Sequence, residues 1–347
     1  MSRRAAPCAN STAAESGGFP IRLARPGVRQ RGAAILAAML TVTLVATFAA
    51  AAMWQQFRSV EVEAAERDRV QSAWILTGAL DWSRLILRED ARGNAGGNAD
   101  HLAEPWAIPL EEARLSTFLA ADKSGVTEVG ADTGNAFLSG QIVDMQARLN
   151  VNSLVVNGTI SPTGLRSFRR LFELLGLPAG QPDLLAEALR AAAGTAPGGQ
   201  ALLPQTVEQL VWLGLPPATL AALQPYIAVL PGPSPVNLNT ASAEVISAAV
   251  DGMSLADAQR LVTARASAHF RSLEDAKRLL PSLAQALTEG TVGVASSYFE
   301  VHGRLRLEDR VVEERSLLFR SGTTVTTLQR ERGVAGSSGL SPTAALR

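Results

Sequence analysis

Residues 32–53 read GAAILAAMLTVTLVATFAAAAM, and everything else in the chain is arranged around this stretch. From Ala33 to Met53 there are 21 residues without a charge, a proline or a glycine. At about 1.5 Å of rise per residue they make a helix roughly 30 Å long, the thickness of a bilayer's hydrocarbon core. Upstream stand Arg3, Arg4, Arg22, Arg25, Arg29 and Arg31 against Glu15 alone, a net charge of +5 over residues 1–32. That asymmetry keeps the N-terminus in the cytoplasm, with Trp54 placed as an interfacial anchor at the far side. The competing reading is a secretory signal peptide, with the Ala49–Ala52 run as its cleavage site. Its apolar region would be only about 7–15 residues long and would not continue into a helix.

This stretch does continue. Residues 54–89 contain no proline, only Gly78, and many Ala, Leu, Glu, Arg and Gln, which favour helix. Phe57, Val60, Ala64, Trp74, Leu80, Trp82, Leu85 and Ile86 recur at roughly helical spacing. The pattern predicts one helix from Ala33 to about Glu89, on the order of 85 Å long. Half of it would lie in lipid and half on a folded body.

The remaining composition narrows the body. The whole chain of 347 residues is charge-neutral and 47% hydrophobic, so residues 33–347 carry −5. Phosphate binding needs a basic surface, and this balance argues against nucleic acid as the main partner. Cys8 is the only cysteine, which excludes an intramolecular disulfide and any zinc site with two thiolates. Residues 136–156 and 296–331 alternate apolar and polar side chains and predict half-buried strands. Residues 160–285 are rich in Ala and Leu, broken at Pro162, Pro178, Pro204, Pro216 and Pro225, and predict six or so short helices. The Gly- and Ser-rich segment 333–347 predicts a disordered tail.

Several motifs carry a resemblance. Arg29-Gln30-Arg31-Gly32 before the apolar helix resembles the leader of the type IV pilin superfamily. The segment Gln141–Asn152 (QIVDMQARLNVN) resembles the D-x-x-G-x-x-N-x-N marker of the K-type minor pseudopilins of type II secretion systems, with Ala147 in place of the glycine. Val236–Ala241 (VNLNTA) resembles their second Asn-rich marker, and Ser296–Val301 (SSYFEV) the start of their C-terminal hairpin. Together with the helix, these markers follow the family's order over most of the chain.

The resemblance implies cleavage by a prepilin peptidase between Gly32 and Ala33, with N-methylation of Ala33. It makes Ala37 the fifth mature residue, where most members carry Glu. A carboxylate in lipid is costly unless paired, and K subunits lack it, as a subunit with no neighbour ahead of it would. The implied partners are the I- and J-type minor pseudopilins, the major pseudopilin, the prepilin peptidase and the inner-membrane secretion platform.

The expected fold is α+β: a long N-terminal helix packed on an antiparallel-sheet domain, with an all-helical domain inserted. The expected segments are a leader (1–32), a transmembrane helix (33–53), its periplasmic half (54–90), a sheet domain (91–158 and 296–332) and the insertion (159–295). The expected function is to cap the tip of a type II secretion pseudopilus and promote its assembly. A minor pilin of a type IV pilus, a membrane-tethered DNA-binding protein and an exported enzyme stay open as alternatives.

Three other signals bear on those alternatives. Residues 236–280 resemble a helix-hairpin-helix module, whose G-x-G hairpin offers backbone N–H groups to a phosphate. Here the hairpin reads Gly252-Met253-Ser254 and the charge over 236–290 is −1, so a structural role and no nucleic acid are expected. The family resemblance also implies calcium in the inserted domain. The matching stretch, roughly 176–205, offers only Asp183 and Glu187, so no cofactor and no metal are expected. Asp122, Glu128, Asp132 and Asp144 are expected in solvated turns. His101, His269 and His302 show no metal-ligand spacing, and no nucleophile or phosphate-binding motif is present. The adjacent pairs Glu111–Glu112 and Glu313–Glu314 are expected on solvated faces. No catalytic residue is expected.

Overall fold

The structure, a computed structural model, describes residues 31–93, 99–117, 135–194, 202–307 and 310–334. The leader other than Arg31 and Gly32, together with Asp122, Glu128 and Asp132, lies outside the described residues. Helix α1 spans Arg31–Gly93, four residues beyond the expected end. The chain divides into two units, residues 1–65 and 66–347.

In the first unit the described residues are helical throughout. Ile35, Leu36, Met39, Leu40, Val42, Leu44, Val45 and Phe48 are all more than half exposed. The hydroxyls of Thr41, Thr43 and Thr47 donate to the carbonyls of Ala38, Leu40 and Leu44 at 2.8–2.9 Å. That satisfies them inside the helix, as lipid requires. By length and composition α1 can cross a membrane.

In the second unit the rest of α1 lies on a five-stranded antiparallel sheet ordered β1-β2-β9-β10-β11. Its strands are β1 (Leu110–Arg114), β2 (Ala136–Asp144), β9 (Tyr298–Leu307), β10 (Arg310–Ser321) and β11 (Thr324–Val334); the two-residue strands β3 (Leu149–Asn150), β4 (Val155–Val156), β5 (Thr159–Ile160), β6 (Ile227–Ala228), β7 (Val236–Asn237) and β8 (Val292–Gly293) pair elsewhere. Leu76, Leu80 and Leu87 repeat at helical spacing and are buried. Leu80 and Leu87 pack with Trp106, Phe299, Val301, Leu318 and Val325. Leu76 packs with Leu115, Leu138, Leu305 and Leu307. Gly140 and Gly303 face each other across β2 and β9. A Cβ on Gly140 would lie 2.7 Å from the His302 carbonyl oxygen, so the strands approach this closely only without a side chain there.

β2 and β9 are sheet neighbours, with Asp144 opposite Phe299, yet residues 145–297 separate them in sequence. Those residues form a helical body inserted at one end of the strand pair. Its helices are α2 (Pro162–Leu174), α3 (Gln181–Ala193), α4 (Pro217–Leu223), α5 (Ala243–Ala249), α6 (Leu255–Ser267) and α7 (Leu273–Leu279). Prolines stand in the first turn of α2, α3 and α4, where a missing N–H costs nothing. Ser161, Ser242 and Ser254 cap α2, α5 and α6 through their hydroxyls. One core runs through Phe168, Leu171, Phe172, Leu185, Leu189, Leu210, Leu223, Ile246 and Leu261.

Two details differ from the sequence expectation. Leu149, Val151 and Leu154 pack into the helical core, because β2 ends at Asp144 and the chain turns there. The helical body therefore begins before residue 159. Gly333 and Val334, placed in the tail by composition, extend β11 opposite Glu313 and Val312. Residues 335–347 lie outside the described residues.

Candidate functional site

Two places carry the chemistry that the sequence singles out. The first is the start of α1. Gly32, Ala33 and Ala37 lie in its opening turns with Ala33 and Ala37 exposed on the helix surface. A Cβ on Gly32 would meet nothing within 4 Å. Among the described residues, no packing requires glycine at 32 or a small residue at 37.

The second is a buried polar joint where the helical body meets the sheet. It gathers the three markers quoted above. Asp144, expected in a solvated turn, is its hub and is only 3% exposed. Its Oδ2 accepts from Asn237 Nδ2 at 3.0 Å, Thr240 Oγ1 at 2.6 Å and Ser296 Oγ at 2.6 Å, and its Oδ1 from the Gln146 N–H at 2.8 Å. Burial pushes the Asp144 carboxyl above the usual carboxylate range, and these donors pull it back. Asn237 also donates to the Asp100 carbonyl at 3.1 Å, and its Oδ1 accepts from the Asn239 N–H at 2.9 Å. Asn239 in turn bonds the Phe270 N–H and C=O, both at 2.9 Å. Asn150 and Asn152 clamp the Leu230–Gly232 backbone through bonds of 2.6–3.1 Å. Each Asn therefore substitutes for a strand ladder by bonding irregular backbone that is wholly or partly buried.

A buried arginine completes the joint. Arg320 on β10, 4% exposed, donates to Asp90 of α1 at 2.8 Å, to Asp100 and to the Ser296 carbonyl at 3.0 Å. Its guanidinium lies 4.7 Å from the Phe299 ring centre. Burial raises Asp100 to about 6 and also raises Asp90, with Arg320 opposing both shifts. Asp90, Asp100 and Glu104 form the carboxylate group, among the described residues, that is close enough to share a metal. The guanidinium already supplies a cation to Asp90 and Asp100.

The calcium expectation turns on other residues. Asp183 on α3 accepts two bonds from Arg169 of α2, and Glu187 accepts two from Arg190. Calcium takes about six to eight oxygens. Two carboxylates already paired with arginine do not fit it, and residues 195–201 add no further carboxylate.

Other candidates resolve as follows. Glu314, expected on a solvated face, is 4% exposed and accepts from Arg330 and Arg332, because alternate residues of β10 face α1. Glu112 instead pairs with Arg306 on the open side of the sheet. In the hairpin between α5 and α6, Gly252 has φ +74°, but Met253 points into the core at 1% exposure. Arg170 covers the hairpin's carbonyls, donating to Val250 at 2.7 Å and Met253 at 2.5 Å. That hairpin is built for packing rather than for a phosphate. His101 and His269, distant in sequence, stack face to face. Ser296 bonds a carboxylate but is buried, so the joint holds polar groups together without presenting a nucleophile to solvent.

Known proteins resemble this chain. Residues 147–232 and 236–296 match two family descriptions, both of type II secretion system protein K. The chain is 29% identical to type II secretion system protein K of Pseudomonas aeruginosa, over 87% of this chain and 89% of that one. The protein of the same description from Pectobacterium carotovorum is 27% identical over 88% and 97%. Among solved structures, a chain of the GspK–GspI–GspJ complex from enterotoxigenic Escherichia coli superposes with a TM-score of 0.61. It is 18% identical, over 78% of this chain and 98% of that one. The chain is thus similar, over nearly the whole length of these relatives, to type II secretion system protein K.

Proposed function

We propose that this protein is the minor pseudopilin that caps the tip of a type II secretion pseudopilus and promotes its assembly for export across the outer membrane. It acts by assembly and not by catalysis. The observation that carries this reading is the start of α1: an uncharged apolar helix, exposed along its length, with Ala37 where a filament subunit would carry a carboxylate. Such a surface needs lipid or other apolar helices around it. Without the carboxylate the helix has no means of pairing with the N-terminal amine of a subunit ahead of it. The arginines of residues 1–32 set the N-terminus in the cytoplasm and the body in the periplasm. The I- and J-type minor pseudopilins are the proposed immediate partners. The superposed structure is of a K–I–J complex, and that supports the choice. The helical body supplies bulk at one end of the sheet, held rigidly by the polar joint, and it needs no calcium or other cofactor.

Maturation tests the reading. Intact-mass spectrometry of the membrane-extracted protein should give a species beginning at Ala33, with or without one methyl group, only in cells that have a prepilin peptidase. An N-terminus between Ala50 and Trp54 in either background would mean signal-peptide cleavage and would contradict it.

A further inference from the structure

The histidine stack lies against the joint but takes no part in its bonds. His101 directly follows Asp100. His269 directly precedes Phe270, in the loop between α6 and α7. The rings are 3.8 Å apart between centres and 16° from parallel, so the stack ties the helical body to the segment leading into the sheet.

The groups around His269 favour its neutral state. His101 Nδ1 accepts the Ala103 N–H at 3.2 Å, which fixes the ring in place. Its Nε2 lies 4.0 Å from Glu104 Oε1. Glu104 is itself engaged, accepting from the His101 N–H at 2.9 Å and from Trp106 Nε1 at 2.7 Å. On the other side, His269 faces Arg271, Asp275, Glu104 and His101. Asp275 accepts from the Arg271 and Ser272 N–H groups and pairs with Arg278. Behind His101, Asp90, Asp100 and Arg320 are closed on one another. A positive ring at 269 would thus meet a stacked imidazole and Arg271, with its nearby carboxylates already committed.

We propose that the His101–His269 stack is an acid-sensitive catch that holds the 267–272 loop while His269 is neutral and releases it when His269 takes a proton. This inference stands apart from the assembly role. Burial, then His101 and Arg271, lower the proton affinity of His269, with Glu104 and Asp275 acting the other way. The closed loop therefore favours the neutral ring. Its stability is full above the ordinary histidine value of about 6.5 and falls as pH drops below it. Asp100 works in the opposite sense, since burial raises it to about 6. Global stability would mix the two, whereas a local reading at Phe270 separates them.

Hydrogen exchange of the full chain in detergent, read at peptides covering 268–272 and corrected for the intrinsic pH dependence, tests the proposal. Between pH 7.5 and 5.5 wild-type protection should fall by about three- to tenfold, the upper figure being the most that one proton binding near 6.5 allows. His269→Phe, which keeps a stacked ring without a titratable proton, should show no such fall, and His101→Phe should reduce it. Peptides from β9 and β10 serve as the reference. Wild-type protection that is equal at the two pH values, or an equal fall in both variants, would overturn the proposal.

Discussion

Asp144 shows how much one residue can organise. Four donors from three separated segments converge on its carboxylate, and each of those segments contains one of the sequence markers. An amide in its place would turn an N–H₂ toward hydroxyl and amide donors. Asp144→Asn should therefore cost about 1–3 kcal/mol in urea unfolding, the range for a buried polar group left badly paired. An unchanged midpoint would mean that the bonds at this hub are not what holds the helical body to the sheet. Asp144 was legible as part of a motif but not as buried. An isolated carboxylate beside a turn reads as solvated, and its partners at 237, 240 and 296 are remote in sequence. The same holds for Arg320, whose acidic partners Asp90 and Asp100 lie more than 200 residues upstream.

Among the elements, α1 was the most legible because two strong local signals coincide: an uninterrupted apolar run and a long stretch of helix formers. Its end was read four residues short, since Asp90, Ala91 and Arg92 carry no stop signal before Gly93. Strand β11 was cut short for the opposite reason. Gly333 looks like a breaker, yet it pairs with Glu313 at the edge of the sheet. The hairpin between α5 and α6 looked like a damaged phosphate loop; where its second glycine would stand, Ser254 caps α6, and Met253 before it fills the core. Within α1 the functional expectation rests on position 37. Ala37→Glu places a carboxylate in the membrane span at an insertion cost of about 2.5–3.5 kcal/mol at most. If Ala37 marks a subunit with no neighbour ahead of it, this variant should be inserted and processed normally while secretion of exoproteins falls. Immunoblots of membranes and culture supernatants read both quantities. Full secretion by the variant would remove the meaning assigned to Ala37.

At the scale of the whole molecule, the α+β class and the presence of a helical insertion followed from alternation at each end of the body and proline-punctuated helix between. The insertion point did not. Only the pairing of Asp144 with Phe299 shows that the sheet closes over a gap of more than 150 residues, and that Leu149, Val151 and Leu154 already belong to the inserted core. The placement suits the proposed capping role: the sheet stays continuous under α1, and the added bulk hangs from one end of two neighbouring strands through a joint of buried hydrogen bonds. In the proposed role this molecule works as one member of a small membrane-anchored assembly. The most direct measurement is native mass spectrometry of the full chain, co-expressed with the I- and J-type minor pseudopilins of its own cell and extracted together in the presence of a calcium chelator. A complex containing one copy of each subunit is the predicted result. Recovery of this chain alone or as a homo-oligomer, with the two companions assembling equally well in its absence, would contradict it.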